Sequence, residues 1–259
     1  MTKDNLGSRM KEYENVSRNY LLRRVPVIIR LDGCHFHTFT KGLNKPFDRF
    51  LMTVMQETML ELCRNIQGCV FGYTQSDEIT LVLTDYKTIK TSAWFDYNIQ
   101  KLASVTSSMA TLYFNRIWNQ KWPECFRTGL DEKVGLATFD ARCFNIPKEE
   151  VANCLIWRQK DATRNSIEAV AQASFRHSEL DGKSCDQLQE MLWQEKGINW
   201  NEFPTDAKRG SACYRQIVKQ EIADPTNPGD IITVERNPWV IDREMPILTQ
   251  GREYVEQWL

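Results

Sequence analysis

The sequence of 259 residues holds only three histidines and carries a formal net charge of −1. A near-neutral chain cannot hold a polyanion by bulk charge, so any such partner must be met by a local basic face. Its eight cysteines, at positions 34, 63, 69, 125, 143, 154, 185 and 213, form no Cys-x-x-Cys pair. Four of them lie in apolar runs, the pattern of core thiols, so neither a disulfide framework nor a zinc site is expected. No apolar run approaches the ~18 residues that span a bilayer, and the opening Met-Thr-Lys-Asp-Asn-Leu lacks the apolar core of a signal peptide. A reducing cytoplasm is the expected location. Repeats and low-complexity tracts are missing too. With 42% hydrophobic and 26% charged residues, the composition excludes disorder and fibrous architectures. The length suits one large or two small domains with a sizeable core.

What is present has a readable order. Val25 to Asp32 is an apolar run ending in Asp32-Gly33, a buried strand entering a tight turn. From Phe47 onward, apolar residues at 50/51, 54/55, 59 and 62/63 predict a helix of about four turns. Cys69 to Tyr73 and Ile79 to Leu83 read as short strands joined by Thr74-Gln75-Ser76-Asp77-Glu78, a hairpin with an acidic tip. Phe95, Ile99, Leu102, Val105, Met109 and Leu112 mark a second amphipathic helix, and Gly135 to Asn145 supplies a fourth strand. The order βαββαβ is the ferredoxin-like pattern of an α+β fold, in which the first and third strands lie antiparallel at the sheet centre. That arrangement brings Asp32, at the end of the first strand, beside Asp77 and Glu78, at the start of the third.

Pro147 opens a long helical stretch through Ala171, and Ser184, with Gln187 as capping-box partner, opens another ending at Gly197. The segment 224–230, rich in Pro, Asp and Gly, is a loop. Strands are expected at Cys213 to Val218 and Ile231 to Ile241, with a short C-terminal helix from Gly251. Residues 1–145 are expected to form the core, and 146–259 helical and β extensions packed on it as one structural unit. Trp94, Trp118 and Trp122 read as core or interface residues.

Two carboxylates on one sheet edge suit Mg²⁺, a hard cation that takes oxygen ligands and keeps part of its water shell. Paired Mg²⁺ ions serve phosphoryl transfer. Gly33 would add a backbone carbonyl, and its missing side chain would let a phosphate approach. The run Gly33-Cys34-His35-Phe36-His37 can wrap a triphosphate with successive backbone N–H groups. Lys101, on the second helix, and Arg158, Lys160 and Arg164, on the third, are cations for phosphates. Lys160 and Arg164 share a helical face. Lys208-Arg209 is a further basic cluster.

Arg30-Leu31-Asp32-Gly33-x-x-Phe36-His37-x-Phe39, Gln75-Ser76-Asp77-Glu78 and Trp157-Arg158-Gln159-x-Asp161 together resemble the tRNA-His guanylyltransferase family and its bacterial and archaeal Thg-like relatives, over roughly residues 5 to 220. The resemblance implies a polymerase-type palm that adds nucleotides to tRNA in the 3′-to-5′ direction, with two Mg²⁺ ions, ATP, GTP and other nucleoside triphosphates as substrates, and a homotetramer. By motif position it implies Asp32, Gly33 and Asp77 as metal ligands and Glu78 as an adjacent essential acid. Ser76, Lys101 and Gly33 to His37 match positions near the nucleotide, as do Lys45 and Asp48. The tRNA contacts expected are Arg158, Lys160, Arg164, Lys208 and Arg209. Where eukaryotic members carry His-Ile-Asn-Asn/Glu, this chain has Thr163-Arg164-Asn165-Ser166, and only Asn165 matches. That departure resembles the Thg-like branch and implies templated repair of 5′-truncated tRNA over obligate G addition to tRNA-His. The alternatives are a palm-fold nucleotide cyclase, which would use the same two aspartates, and a non-catalytic ferredoxin-like RNA-binding module.

Overall fold

The computed structural model describes residues 5–121, 135–223 and 231–259. The expected loop at 224–230, Trp122 and Cys125 lie outside the described residues. In chain order the elements are α1 (Asn5–Val16), β1 (Val27–Gly33), α2 (Phe36–Phe39), α3 (Arg49–Asn65), β2 (Cys69–Gln75), β3 (Glu78–Leu83), α4 (Ile99–Lys121), β4 (Phe139–Asn145) and α5 (Val151–Ser174). There follow α6 (His177–Leu180), α7 (Cys185–Lys196), α8 (Thr205–Arg209), β5 (Ser211–Arg215), β6 (Val218–Ala223), β7 (Ile231–Arg236), β8 (Trp239–Asp242) and α9 (Glu253–Glu256).

The main sheet has the order β4-β1-β3-β2-β5-β8, and every neighbouring pair is antiparallel. Its first four strands are the ferredoxin-like set, and β5 and β8 extend it. Alternation along β1 divides its side chains between two cores. Val27, Ile29 and Leu31 face α3 and α4, where Val54, Met59, Leu62, Phe114 and Trp118 are buried. Ile28 faces the other core, with Val82, Tyr73, Leu155 of α5 and Val255 of α9. Helices α3 and α4 therefore cover one face, and the later segments cover part of the second.

Several boundaries differ from the sequence expectation for local reasons. The first palm helix begins at Arg49 because Asp48 is its N-cap: Asp48 Oδ1 accepts from the backbone N–H of Phe50 and Leu51 at 3.0 and 3.2 Å, a cap of about 1 kcal/mol. Phe95 falls outside the second palm helix, since Phe95, Asp96 and Tyr97 all take positive φ. That helix starts at Ile99, where Asn98 Oδ1 accepts from the N–H of Lys101 at 3.0 Å. The run from 231 to 241 is two strands, β7 and β8, split at Asn237-Pro238, because proline has no N–H for a ladder. The run from 213 to 218 is likewise divided, between β5 in the main sheet and β6 in a separate ribbon with β7. The capping box forms as expected: Ser184 Oγ accepts from Gln187 N at 3.3 Å, Gln187 Oε1 accepts from Ser184 N at 2.9 Å, and Gly197 closes α7 at φ +65°. The seven cysteines among the described residues are free thiols. Among those residues no helix is long and apolar enough to cross a membrane.

Candidate active site

Asp32 follows the parity of Ile28 and Arg30, so it belongs to the sheet face that α5 partly covers. Its register partners are Glu78 on β3 and Asp140 on β4. Sequence reading missed Asp140; its only local signal is a place beside Phe139 at a strand start. Asp77 sits in the two-residue loop Ser76-Asp77 that joins β2 to β3, closed by the pair Gln75 and Glu78. Ser76 takes φ +50° there. The antiparallel pairing of β1 with β3 thus brings Asp32 and Asp77 to the same edge.

Burial pushes the Asp77 carboxyl above the ordinary aspartate range. The negative charge of Asp32 adds to the rise, while backbone and Ser76 hydrogen bonds to the carboxylate pull the other way. A desolvated carboxylate with a second negative charge nearby gains from a cation. Among the described residues no group of three or more His, Cys, Asp or Glu side chains forms a metal cage. Two aspartates fit Mg²⁺ nonetheless, because that ion is usually held by one or two carboxylates, its own waters and the substrate's phosphates.

Glu78, expected as an acid beside Asp77, is held by both oxygens. Arg158 donates from Nε to Oε1 and from Nη2 to Oε2, each at 2.7 Å, and Nη2 also reaches Asp161 Oδ2 at 2.9 Å. Glu78 is 7% exposed and Arg158 6%. Burial raises the Glu78 carboxyl and Arg158 opposes the rise. Arg158, expected at the tRNA, is therefore an interior residue.

The segment after Gly33 also departs from expectation. A Cβ at Gly33 would lie 2.3 Å from Cδ2 of Phe36, so the space that glycine leaves is filled by the Phe36 ring rather than open to a phosphate. Cys34 donates its backbone N–H to Thr138 O at 2.9 Å, which removes one donor from the expected triphosphate wrap. His35, at φ +56°, and His37 are exposed. Lys101 stands in the first turn of α4, on the opposite face of the sheet from Asp32. The start of the same helix lies beside Cys143, whose Sγ is 3.5 Å from Ile99 O, and the helix reaches the Asp32 edge at Thr111, whose Oγ1 accepts from Phe139 N at 3.2 Å, about 15 Å farther along at 1.5 Å per residue. Within one chain Lys101 is not brought to the aspartates.

Asp48, Ser76 and Asn165 are brought together. They line a cavity of about 160 Å³ between the start of α3, the β2–β3 hairpin, α5 and α8. Asp206, which sequence reading missed, also lines it; Arg49 Nη1 donates to its two oxygens at 2.8 and 2.9 Å. Lys45 is exposed beside this cavity's Pro46. Of the other expected tRNA contacts, Lys160 and Arg164 are exposed on α5, with Arg164 paired to Asp161. Arg209 is half-buried, and its carbonyl accepts from the Tyr73 hydroxyl at 2.6 Å. Lys208 is buried, donates to Asn201 O at 2.5 Å and has a lowered pKa because of that burial.

The family model described as tRNAHis guanylyltransferase matches residues 7–147. Among solved structures, a bacterial tRNA(His) guanylyltransferase (Thg1)-like protein in complex with ATP is 43% identical, covers 98% of this chain and 99% of its own, and superposes with a TM-score of 0.84. A complex with GTP of a protein of the same description is 42% identical, with 98% and 99% coverage and a TM-score of 0.77. A probable tRNA(His) guanylyltransferase of Dictyostelium discoideum is 30% identical over 77% of this chain and 79% of its own length. Because the family match spans more than half of the chain and includes both Asp32 and Asp77, this chain belongs to the tRNAHis guanylyltransferase (Thg1) family and is a nucleotidyltransferase.

Proposed function

We propose that this protein adds nucleotides in the 3′-to-5′ direction to the 5′ end of tRNA, templated by the opposite strand, and so repairs 5′-truncated tRNA; it can also add G to tRNA-His. The observation that carries this reading is the meeting of Asp32 and Asp77 at the β1–β3 edge, in a chain of this family. A 5′-monophosphate oxygen attacks the α-phosphorus of ATP and releases pyrophosphate. The 3′-hydroxyl of the incoming nucleotide then attacks the activated 5′ phosphorus and releases AMP. Water then attacks the α-phosphorus of the new 5′-triphosphate and releases pyrophosphate, which resets the cycle; an RNA that already carries a 5′-triphosphate skips the first step and loses pyrophosphate rather than AMP in the second.

Asp32, the Gly33 carbonyl and Asp77 would hold two Mg²⁺ ions, which when bound lower the charge on reacting phosphates and activate the attacking hydroxyl. The chain itself supplies two fixed carboxylates and, in the cavity beside Ser76, a concave surface for a nucleotide with Asp48 and Asn165 on its wall. Lys160, Arg164 and Arg209 would meet RNA, a role that the exposure of Lys160 and Arg164 supports. Templating relieves the protein of choosing the base. Thr163-Arg164-Asn165-Ser166, without the eukaryotic histidine, and the likeness to bacterial Thg1-like structures both support that preference. The free thiols suit a cytoplasmic enzyme. An apolar stripe on α1, where Leu6, Met10, Tyr13 and Val16 are 59, 45, 69 and 84% exposed, supports assembly as a homotetramer.

The test incubates the protein with 5′-truncated tRNA, Mg²⁺ and nucleoside triphosphates, then resolves the RNA on a sequencing gel. Growth at the 5′ end that follows the opposite strand is expected. A cyclic nucleotide product, or no extension of several truncated tRNAs, would refute the reading.

A further inference from the structure

Trp157 and Arg158, side by side on α5, touch β1, which carries Asp32, and β3, which begins at the residue after Asp77. Arg158 grips Glu78, the residue after Asp77, with its two 2.7 Å bonds, and Nη2, one of the two donors in that grip, also donates to Asp161 Oδ2 at 2.9 Å. The fork geometry of arginine fixes a carboxylate in plane as well as in distance. Glu78 is the first residue of β3, so this grip sets where the Ser76-Asp77 loop ends. Thr74, on the other arm of the hairpin, donates its hydroxyl to Glu78 O at 2.8 Å. The guanidinium of Arg158 lies 4.4 Å from the centre of the Trp157 ring, and that of Arg30 lies 5.4 Å from it. Arg30 precedes Asp32 by two positions on the same face of β1.

We infer that Trp157 and Arg158 form a brace, a pair of positioning residues that hold Asp77 through Glu78 and Asp32 through Arg30, so that the two carboxylates meet a cation at fixed separation. Glu78 then acts as the anchor of the hairpin rather than as a proton donor or ligand. The inference rests on the reading of Asp32 and Asp77 as the metal-holding pair. A buried bidentate pair is specific to arginine: lysine keeps the charge but offers no planar fork. The brace therefore predicts that charge alone does not suffice at 158.

The experiment compares the full-length protein with Arg158→Lys and Trp157→Leu. It measures Mn²⁺ affinity in the presence of ATP by electron paramagnetic resonance, amide exchange over the 70–83 hairpin, and the kcat and KM for truncated tRNA. For Arg158→Lys the brace requires faster exchange in the hairpin, Mn²⁺ affinity weakened about 10-fold, as for loss of groups that orient metal ligands, and a fall in kcat with KM for tRNA little changed. Trp157→Leu, which leaves the Glu78 grip in place, is expected to weaken Mn²⁺ binding less. A rise in KM for tRNA with parental Mn²⁺ affinity would overturn the brace and make Arg158 an RNA contact. Parental values throughout would overturn it as well. Should Arg158→Lys fail to fold, Arg158→Gln and the Trp157→Leu protein carry the same comparison. The Mn²⁺ and exchange measurements need no turnover, so a parent that binds Mn²⁺ but extends no RNA would count against the proposed reaction and leave the brace to be judged on those two readouts.

Discussion

In the proposed reaction Asp32 and Asp77 act as two carboxylates that the β1–β3 pairing brings to one sheet edge. Replacing either with alanine is expected to lower RNA extension on the order of 10³-fold, the scale of losing one fixed electrostatic group, with the far-ultraviolet circular dichroism of the parent retained. The raised Asp77 carboxyl has a stability consequence. Its folded pKa lies above its unfolded one, so the folded state binds more protons between the two values, and stability falls as pH rises through that window. At neutral pH the ionised group is therefore a cost to the metal-free protein. Asp77→Asn without Mg²⁺ should melt at or above the parent's temperature at pH 7, and that advantage should vanish near the pKa of an unfolded aspartate, about 3.9. A lower melting temperature at pH 7 would contradict this account. Gly33 carries a different constraint. Gly33→Ala drives a methyl into the Phe36 ring and should destabilise by about 1–3 kcal/mol as overpacking does. Trimming the ring with Phe36→Leu in the same chain should recover part of that loss in a urea titration.

At the scale of elements, the hairpin and its neighbours show which local signals carry over to structure. The Ser184 box and the Gly197 end of α7 depend only on residues within a few positions of each other, and both form. Ser184→Ala should cost about 1 kcal/mol in chemical denaturation, and it should leave RNA extension unchanged because α7 packs on α5 away from the Asp32 edge. By contrast, periodicity alone carried the second palm helix back to Phe95. The backbone there turns through three consecutive positive φ values, and apolar spacing has no means of reporting that. The long run at 231–241 was apolar enough for one strand, yet Pro238 divides it between the main sheet and the β6–β7 ribbon.

For the whole molecule, the exposed stripe on α1 is apolar surface that one chain by itself leaves uncovered among the described residues. None of the α1 residues is buried. Analytical ultracentrifugation is expected to show a tetramer, and Met10→Asp, which puts a charge in the middle of the stripe, should shift the mass downward. A monomeric parent would count against the proposed assembly. The same measurement bears on Lys101: the chain places it on the far face from its own aspartates, so any contact with a nucleotide would have to involve another protomer's site.

Alternating and helical apolar spacing, with the Asp-Gly and Ser-Asp-Glu turns, was enough to determine the βαββαβ order and to put Asp32 and Asp77 on one edge, because strand pairing in that order leaves little freedom. The three motifs were enough for the family. Tertiary structure alone decided what each charged side chain touches. Arg158 and Lys208 look in sequence like surface cations, but burial on α5 and α8 turned the first into Glu78's partner and the second into a donor to Asn201. Gly33 reads as room for a phosphate until Phe36, three positions on, folds back over it. Side-chain partners separated by 80 positions, as Glu78 and Arg158 are, leave no periodic trace in the chain; they exist only once the sheet and α5 have closed on each other.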